Sequence, residues 1–180
     1  MISIRYASIR SMDISNGEGV GVALFVQGCH FHCSNCFNPE TWDFNGGKEW
    51  TEEVKNKFLE LINRPYIKRI SILGGEPLAE ENLDGVLDLV NRICLSKSKK
   101  SIWLYTGYTW EQLFDGESYT SKRCSGLKRR DIVEHCDVLV DGKYIDSQRN
   151  ITLPYRGSSN QRVICIRESL KLGKIVTLSK

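Results

Sequence analysis

Apolar residues recur along this chain in blocks of two kinds. The first kind is continuous. GVALFVQG (21–28), KRISILGG (68–75), SIWLYTG (101–107) and CDVLVDG (136–142) have the length of buried strands. QRVICI (161–166) reads as a further strand and KIVTL (174–178) as a last one. The second kind is spaced as on a helix. In TEEVKNKFLELINR (51–64), Val54, Phe58, Leu61 and Ile62 share a face, Thr51 can cap the start, and Glu52 and Glu53 suit the positive end. Leu83, Val86, Leu87, Val90, Ile93 and Cys94 repeat that spacing, and Thr109 with Gln112 makes a capping box for a short helix. Strands alternating with helices over short connections predict an α/β fold, a mainly parallel sheet with crossover helices. No repeat or linker divides the chain, so one domain over residues 1–180 is expected.

In such sheets ligands sit beyond the carboxyl ends of the strands. QGCHFHC, LGGEP, YTGY and VDGKY stand at those ends, so the chemically suggestive residues fall on one edge.

Composition narrows the setting. Hydrophobic residues make up 41% and charged residues 26%, ordinary values for a globular protein. No apolar run approaches a membrane span, and MISIRYASIRSMD lacks the apolar core of a signal peptide, so a cytoplasmic protein without a membrane partner is expected. In a reducing compartment its seven cysteines read as thiols or metal ligands. The net charge of +3 is too small to imply nucleic acid. The basic runs SKSKK (96–100) and KRCSGLKRRD (122–131) carry no interleaved aromatics and read as solvated faces or a protein-docking patch.

Three cysteines crowd one loop as Cys29-x3-Cys33-x2-Cys36. Zinc prefers four N/S ligands, and His30 or His32 could in principle complete a set, yet both lie in the same tight loop and no partner pair stands elsewhere. Iron–sulfur clusters are held by thiolates, and three on a four-iron cube leave one iron open. The fourth ligand is then a substrate or cofactor. His30 and His32 read as outer groups of the loop, and His135 as the end of a helix. Cys94 and Cys165 are expected as buried small hydrophobes, Cys136 at the start of a strand and Cys124 in a basic loop, with no second cluster. The four tryptophans read as packing groups.

The cysteine spacing, followed by Gly74-Gly75-Glu76-Pro77, resembles the radical S-adenosylmethionine enzymes. That resemblance implies a short, open partial (β/α) barrel. It also implies a [4Fe-4S] cluster on Cys29, Cys33 and Cys36, with S-adenosylmethionine chelating the fourth iron through its methionyl amine and carboxylate. Gly74, Gly75, Glu76 and Pro77 would hold the amino group, and backbone around Asn35 and Phe37 would contact the adenine. Thr106 is then a ribose contact, and Asp141 orients the sulfonium half or the incoming substrate. RGSSNQR (156–162) is either a polar turn or a donor-rich loop facing the methionyl carboxylate.

FVQGCHFHCSNCFNPETWDFNGG, WLYTGYTWEQL, DVLVDGKYID and LPYRGSSNQRVI together are similar to the activating proteins of anaerobic (class III) ribonucleoside-triphosphate reductases, from about Asn16 onward. The sequence departs at Asn35, where many superfamily members carry an aromatic, and at Gly21, where many activases carry an arginine. This narrower resemblance implies a job. An external one-electron donor feeds the cluster, S-adenosylmethionine is cleaved to a 5′-deoxyadenosyl radical, and a glycyl radical appears on the C-terminal loop of the reductase large subunit. Two alternatives stand beside it: an activase of another glycyl radical enzyme, of the pyruvate formate-lyase type, and a non-catalytic zinc- or cluster-binding scaffold.

Overall fold

A computed structural model describes residues 4–96, 99–114 and 122–178. Seven strands form one sheet: β1 (Arg5–Asp13), β2 (Gly21–Val26), β3 (Lys48–Glu49), β4 (Arg69–Gly74), β5 (Ser101–Tyr105), β6 (Val138–Asp141) and β7 (Arg162–Cys165). Their order across the sheet is β3-β1-β2-β4-β5-β6-β7. The centre, β2-β4-β5-β6, is parallel, as the strand–helix alternation predicts. Both flanks are antiparallel, which that alternation does not predict. The reason for β7 lies in its connection. Residues 142–161 hold no crossover α-helix, so the chain returns beside β6 in the opposite sense.

Five helices accompany the sheet: α1 (Glu52–Ile62), α2 (Leu83–Leu95), α3 (Trp110–Phe114), α4 (Lys122–Glu134) and α5 (Ile166–Leu172). The expected caps are present. Val54 N–H donates to Thr51 Oγ1 at 3.3 Å, and Thr109 N–H donates to Gln112 Oε1 at 2.9 Å. Along the strands alternate residues face opposite layers. Val22, Leu24, Val26, Ile70, Ile72, Ile102 and Leu104 pack with Phe58, Leu89 and Val90 of the helices. Ala23, Phe25 and Leu73 on the other face pack with Tyr105, and Trp103, Val138, Val140 and Val163 with Tyr105 and Tyr155. β2 is therefore buried on both sides, which is why its sequence is apolar throughout.

Four expectations change. Residues 122–131 belong to α4, so Cys124 is helical rather than in a loop; Lys128, Arg129 and Arg130 each engage Asp84, the Leu78 carbonyl or Glu134. SKSKK lies partly outside the described residues. Cys94 is exposed and Cys165 half-buried rather than core groups, whereas Cys136 is buried ahead of β6. KIVTL makes one isolated bridge, Thr177 with Ile164, and no strand. Among the described residues no helix is long and apolar enough to cross a membrane.

The largest fully buried side chain among the described residues is charged. Arg69, first residue of β4, reaches the loop between β1 and β2 and pairs with Asp13 at 2.9 Å. It also donates to the carbonyls of Asp13 and Asn16, both at 2.8 Å, and to Ser71 Oγ.

Candidate active site

β2 and β4 end side by side, with Val26 opposite Gly74. From there the chain enters the cysteine loop, which main-chain bonds fix at its root. Gly28 N–H donates to the Thr41 carbonyl at 2.7 Å and Cys29 N–H to that of Trp42 at 3.0 Å. Farther along, His32 and Asn35 occupy the left-handed region, with φ of 45° and 54°. Asn tolerates that conformation. The Asn35 side-chain amide donates to one oxygen of Asp146 at 2.8 Å, and the Tyr144 hydroxyl donates to the other at 2.7 Å. Residues 142–161 thus clasp the loop from outside.

Held so, Cys29, Cys33 and Cys36 all line one cavity of about 540 Å³. Burial pushes the Cys29 and Cys33 thiols up, while backbone N–H groups of Phe31 and His32 at Cys29, and of Tyr144 at Cys33, pull the other way. Asn38 N–H approaches Cys36 Sγ at 3.4 Å. Neither histidine lines the cavity: His30 sits 2.8 Å from Glu81, and His32 stacks on Trp42. Among the described residues no three His, Cys, Asp or Glu side chains converge to hold a single metal ion. Tetrahedral zinc needs such convergence. A cube does not, because each thiolate takes its own iron, so the donor set suits a cluster.

The GGEP turn packs directly on this loop. Gly74 has φ of +107°, and a Cβ there would lie 2.7 Å from Phe25 Cα. A Cβ on Gly75 would lie 2.4 Å from the Gly28 carbonyl oxygen. Only bare backbone fits at either position. Gly74, Gly75 and Glu76 line the same cavity as the cysteines, and Phe37 and Thr106 join them.

Glu76 is buried at 3% exposure, and three donors meet its carboxylate. Leu78 N–H and the Thr106 hydroxyl reach Oε1, both at 2.8 Å, and Gly107 N–H reaches Oε2 at 2.7 Å. Burial outweighs these bonds and pushes its pKa up to about 7. The sign follows from the direction. A carboxyl raised in the folded state stabilises the fold below its unfolded value of 4.5 and loses that contribution as pH rises through about 7. Glu76→Gln cannot ionise. Relative to wild type, metal-free Glu76→Gln protein should therefore gain on the order of 3 kcal/mol across that window. Urea denaturation at half-unit pH steps measures this, and a pH-independent difference would contradict it.

Other expected residues lie elsewhere. Asn35 and Pro77 do not line the cavity, and the Asn35 side chain is committed to Asp146. Asp141 is buried outside the cavity lining. It accepts from Trp110 N–H at 2.8 Å and Arg162 Nε at 3.0 Å, and Arg162 also bridges to Glu111, whose carboxyl it holds well below the usual range. From RGSSNQR, Arg156, Gly157 and Gln161 line the cavity. Arg10, Asn16, Tyr105 and Lys143 line it without having been singled out in the sequence. The Lys143 ammonium stands 4.6 Å from the Phe31 ring centroid. Its place just after VDG at a strand end was the available signal; Arg10, in the antiparallel β1, had none.

A family model described as a 4Fe-4S single cluster domain matches residues 15–164. An anaerobic ribonucleoside-triphosphate reductase-activating protein of Vibrio cholerae serotype O1 is 36% identical over 160 residues, 88% of this chain and 96% of that protein. A protein of the same name from Escherichia coli strain K12 is 35% identical over 166 residues, 91% of this chain and 100% of that one. Another, from Enterobacteria phage T4, is 31% identical over 162 residues, 89% and 93% of the two chains.

Proposed function

The chain belongs to the anaerobic ribonucleoside-triphosphate reductase-activating proteins, a family with a 4Fe-4S domain, and from that premise we infer that it is a radical S-adenosylmethionine activase that generates a glycyl radical on the reductase. One observation carries the reading: three thiols from the head of β2 open onto the same cavity as the bare GGE backbone. On this reading Cys29, Cys33 and Cys36 would hold the cluster and leave one iron for S-adenosylmethionine. Such a cluster, when bound and reduced, would supply the one electron for cleavage of S-adenosylmethionine to methionine and a 5′-deoxyadenosyl radical, the species that would take hydrogen from a glycine Cα.

The chain's own part is positioning and insulation. Gly74 and Gly75 let main chain approach the methionyl group, and Glu76, fixed by three donors, presents carboxylate oxygen to its amino group. Amides against Cys29, Cys33 and Cys36 tune the cluster's potential. The cavity spreads over the face of a sheet that is parallel at its centre, which suits the short, open partial barrel of this superfamily. Free cysteines throughout the described residues suit a reducing cytoplasm. A radical is quenched by stray hydrogen donors, so the open edge must be covered during turnover. The reductase, bringing its glycyl loop, supplies that cover, and the electron comes from an external donor.

The test is anaerobic. Protein reconstituted with iron and sulfide, reduced with dithionite and given S-adenosylmethionine and reductase should yield a glycyl radical signal. Reductase should also lower the 5′-deoxyadenosine wasted per radical formed. A brown protein that cleaves S-adenosylmethionine yet never radicalises the reductase contradicts the assigned partner. A colourless protein holding one zinc contradicts the chemistry.

A further inference from the structure

Three residues that line the cavity carry a buried polar atom with no hydrogen-bond partner among the described residues: Trp42 Nε1, at the root of the cysteine loop, and, away from that loop, Tyr105 Oη and Arg156 Nε. Such groups are rare in folded proteins, because each forfeits the hydrogen bonds it made to water. The cysteines and GGE turn occupy the cavity's edge at the carboxyl ends of β2 and β4. Tyr105 belongs to its floor. Its ring packs with Ala23, Phe25 and Leu73 on the sheet face, and its hydroxyl feels the Arg69–Asp13 pair and Tyr155. Arg156 comes from the 142–161 segment opposite. It spends one terminal nitrogen on the Gln161 carbonyl at 2.8 Å, which leaves Nε–H directed to something else.

We propose that Tyr105 and Arg156 are substrate-binding residues that hold the main chain of the reductase's glycine-bearing segment across the inner face of the sheet. The proposal rests on the activase reading above and adds residues to it. Its chemistry follows from the two groups. An Arg Nε–H donates only, and a phenol both donates and accepts, so together they fit a peptide's carbonyls and amide. Around glycine the main chain is bare, and no side chain blocks such contacts. Phe25 and Leu73 make the sheet face beside Tyr105 apolar, and Glu76, the one carboxylate among the described lining residues, is assigned to the methionyl amino group. Hydrogen abstraction needs the glycine Cα held close to its acceptor, where a misplacement of about 1 Å costs roughly a hundredfold. Two fixed main-chain contacts provide that positioning without reading any side chain.

The experiment uses reconstituted holoprotein, dithionite and S-adenosylmethionine, with a synthetic peptide carrying the reductase's radical glycine, or the whole reductase. Tyr105→Phe deletes one oxygen that has no partner, so it should fold with an unchanged or higher melting temperature. Arg156→Lys keeps the charge and removes Nε. In both variants, 5′-deoxyadenosine formation without peptide should stay within about twofold of wild type, while KM for peptide or reductase rises roughly three- to tenfold. A merely structural role would instead lower the melting temperature and reduce both readouts together. KM unchanged in both variants overturns the proposal. So does an equal fall in peptide-free cleavage, which would assign the two groups to S-adenosylmethionine. A wild type that forms no 5′-deoxyadenosine overturns the activase reading itself, an outcome visible before any variant is made.

Discussion

Replacing any one of Cys29, Cys33 or Cys36 by alanine should remove both the cluster and turnover. Among the described residues no substitute ligand stands at hand. Cys94, Cys124, Cys136 and Cys165 do not line the cavity, and burial holds the Cys136 thiol protonated. His30 and His32 are engaged by Glu81 and Trp42. Reconstituted iron should fall from about four per chain to below one, with loss of the brown absorbance. S-adenosylmethionine cleavage should fall beyond the roughly 10–100-fold typical of residues that only support metal ligands. The fold should survive, since the root of the loop is held by Thr41 and Trp42 carbonyls and its far side by Asp146. Unchanged circular dichroism with absent iron is thus the expected pair of results. Cys94→Ala, at an exposed thiol that does not line the cavity, should keep both cluster and activity. A full cluster with wild-type turnover in any of the three alanine variants would show that the ligands lie elsewhere.

The centre of the sheet was legible because β2, β4, β5 and β6 are largely buried on both faces and read as mainly apolar runs. The flanks were not. β1 mixes Arg5, Ser8 and Arg10 with its apolar residues, and two register shifts against β2 break the period-two pattern that would reveal it. α4 buries few side chains, Ser125, Ile132 and Val133 among them, and surrounds them with charge, so its sequence resembles a solvated stretch. Cys94 illustrates the limit of periodicity. It keeps the helical spacing of α2, but it lies one residue from the helix end and emerges at the surface.

At the site, local motifs carried the reading and long-range pairing escaped it. The cysteine spacing and GGEP are each short, and the parallel register of β2 and β4 brings them together without further help. Asp141, by contrast, has its acceptors occupied by Trp110 and by an arginine 21 residues away. The spare hydroxyl of Tyr105 and the clasp of Asn35 by Asp146 likewise depend on where residues 142–161 lie, which no local pattern fixes.

The same limit hides the group with the largest expected effect on stability. Arg69 opens an apolar strand, and its partner Asp13 lies 56 residues earlier. Arg69→Met keeps the stem's volume but takes from Asp13, at 2% side-chain exposure, its buried counterion. It leaves Asp13 two Asn16 donors and the half-exposed Arg10 at 3.7 Å, and it empties the carbonyls Arg69 served. Breaking a buried pair from one side costs about 3–5 kcal/mol, because the remaining charge loses its buried partner without regaining water, and an exposed cation such as Arg10 offsets little of that. For a chain of this length that is a fall of roughly 10 °C in melting temperature. Asp13→Asn combined with Arg69→Met should recover part of the loss, since no unpaired charge then remains, and the double-mutant cycle reads the coupling directly. The site should feel the single change as well. The Asn16 carbonyl accepts from both Arg69 and Ser71, and Asn16 lines the cavity, so the variant should bind the peptide less tightly even where it remains folded. A single substitution costing under about 1 kcal/mol would mean that water reaches Asp13, and that the loop between β1 and β2 is held by its own turns rather than by Arg69.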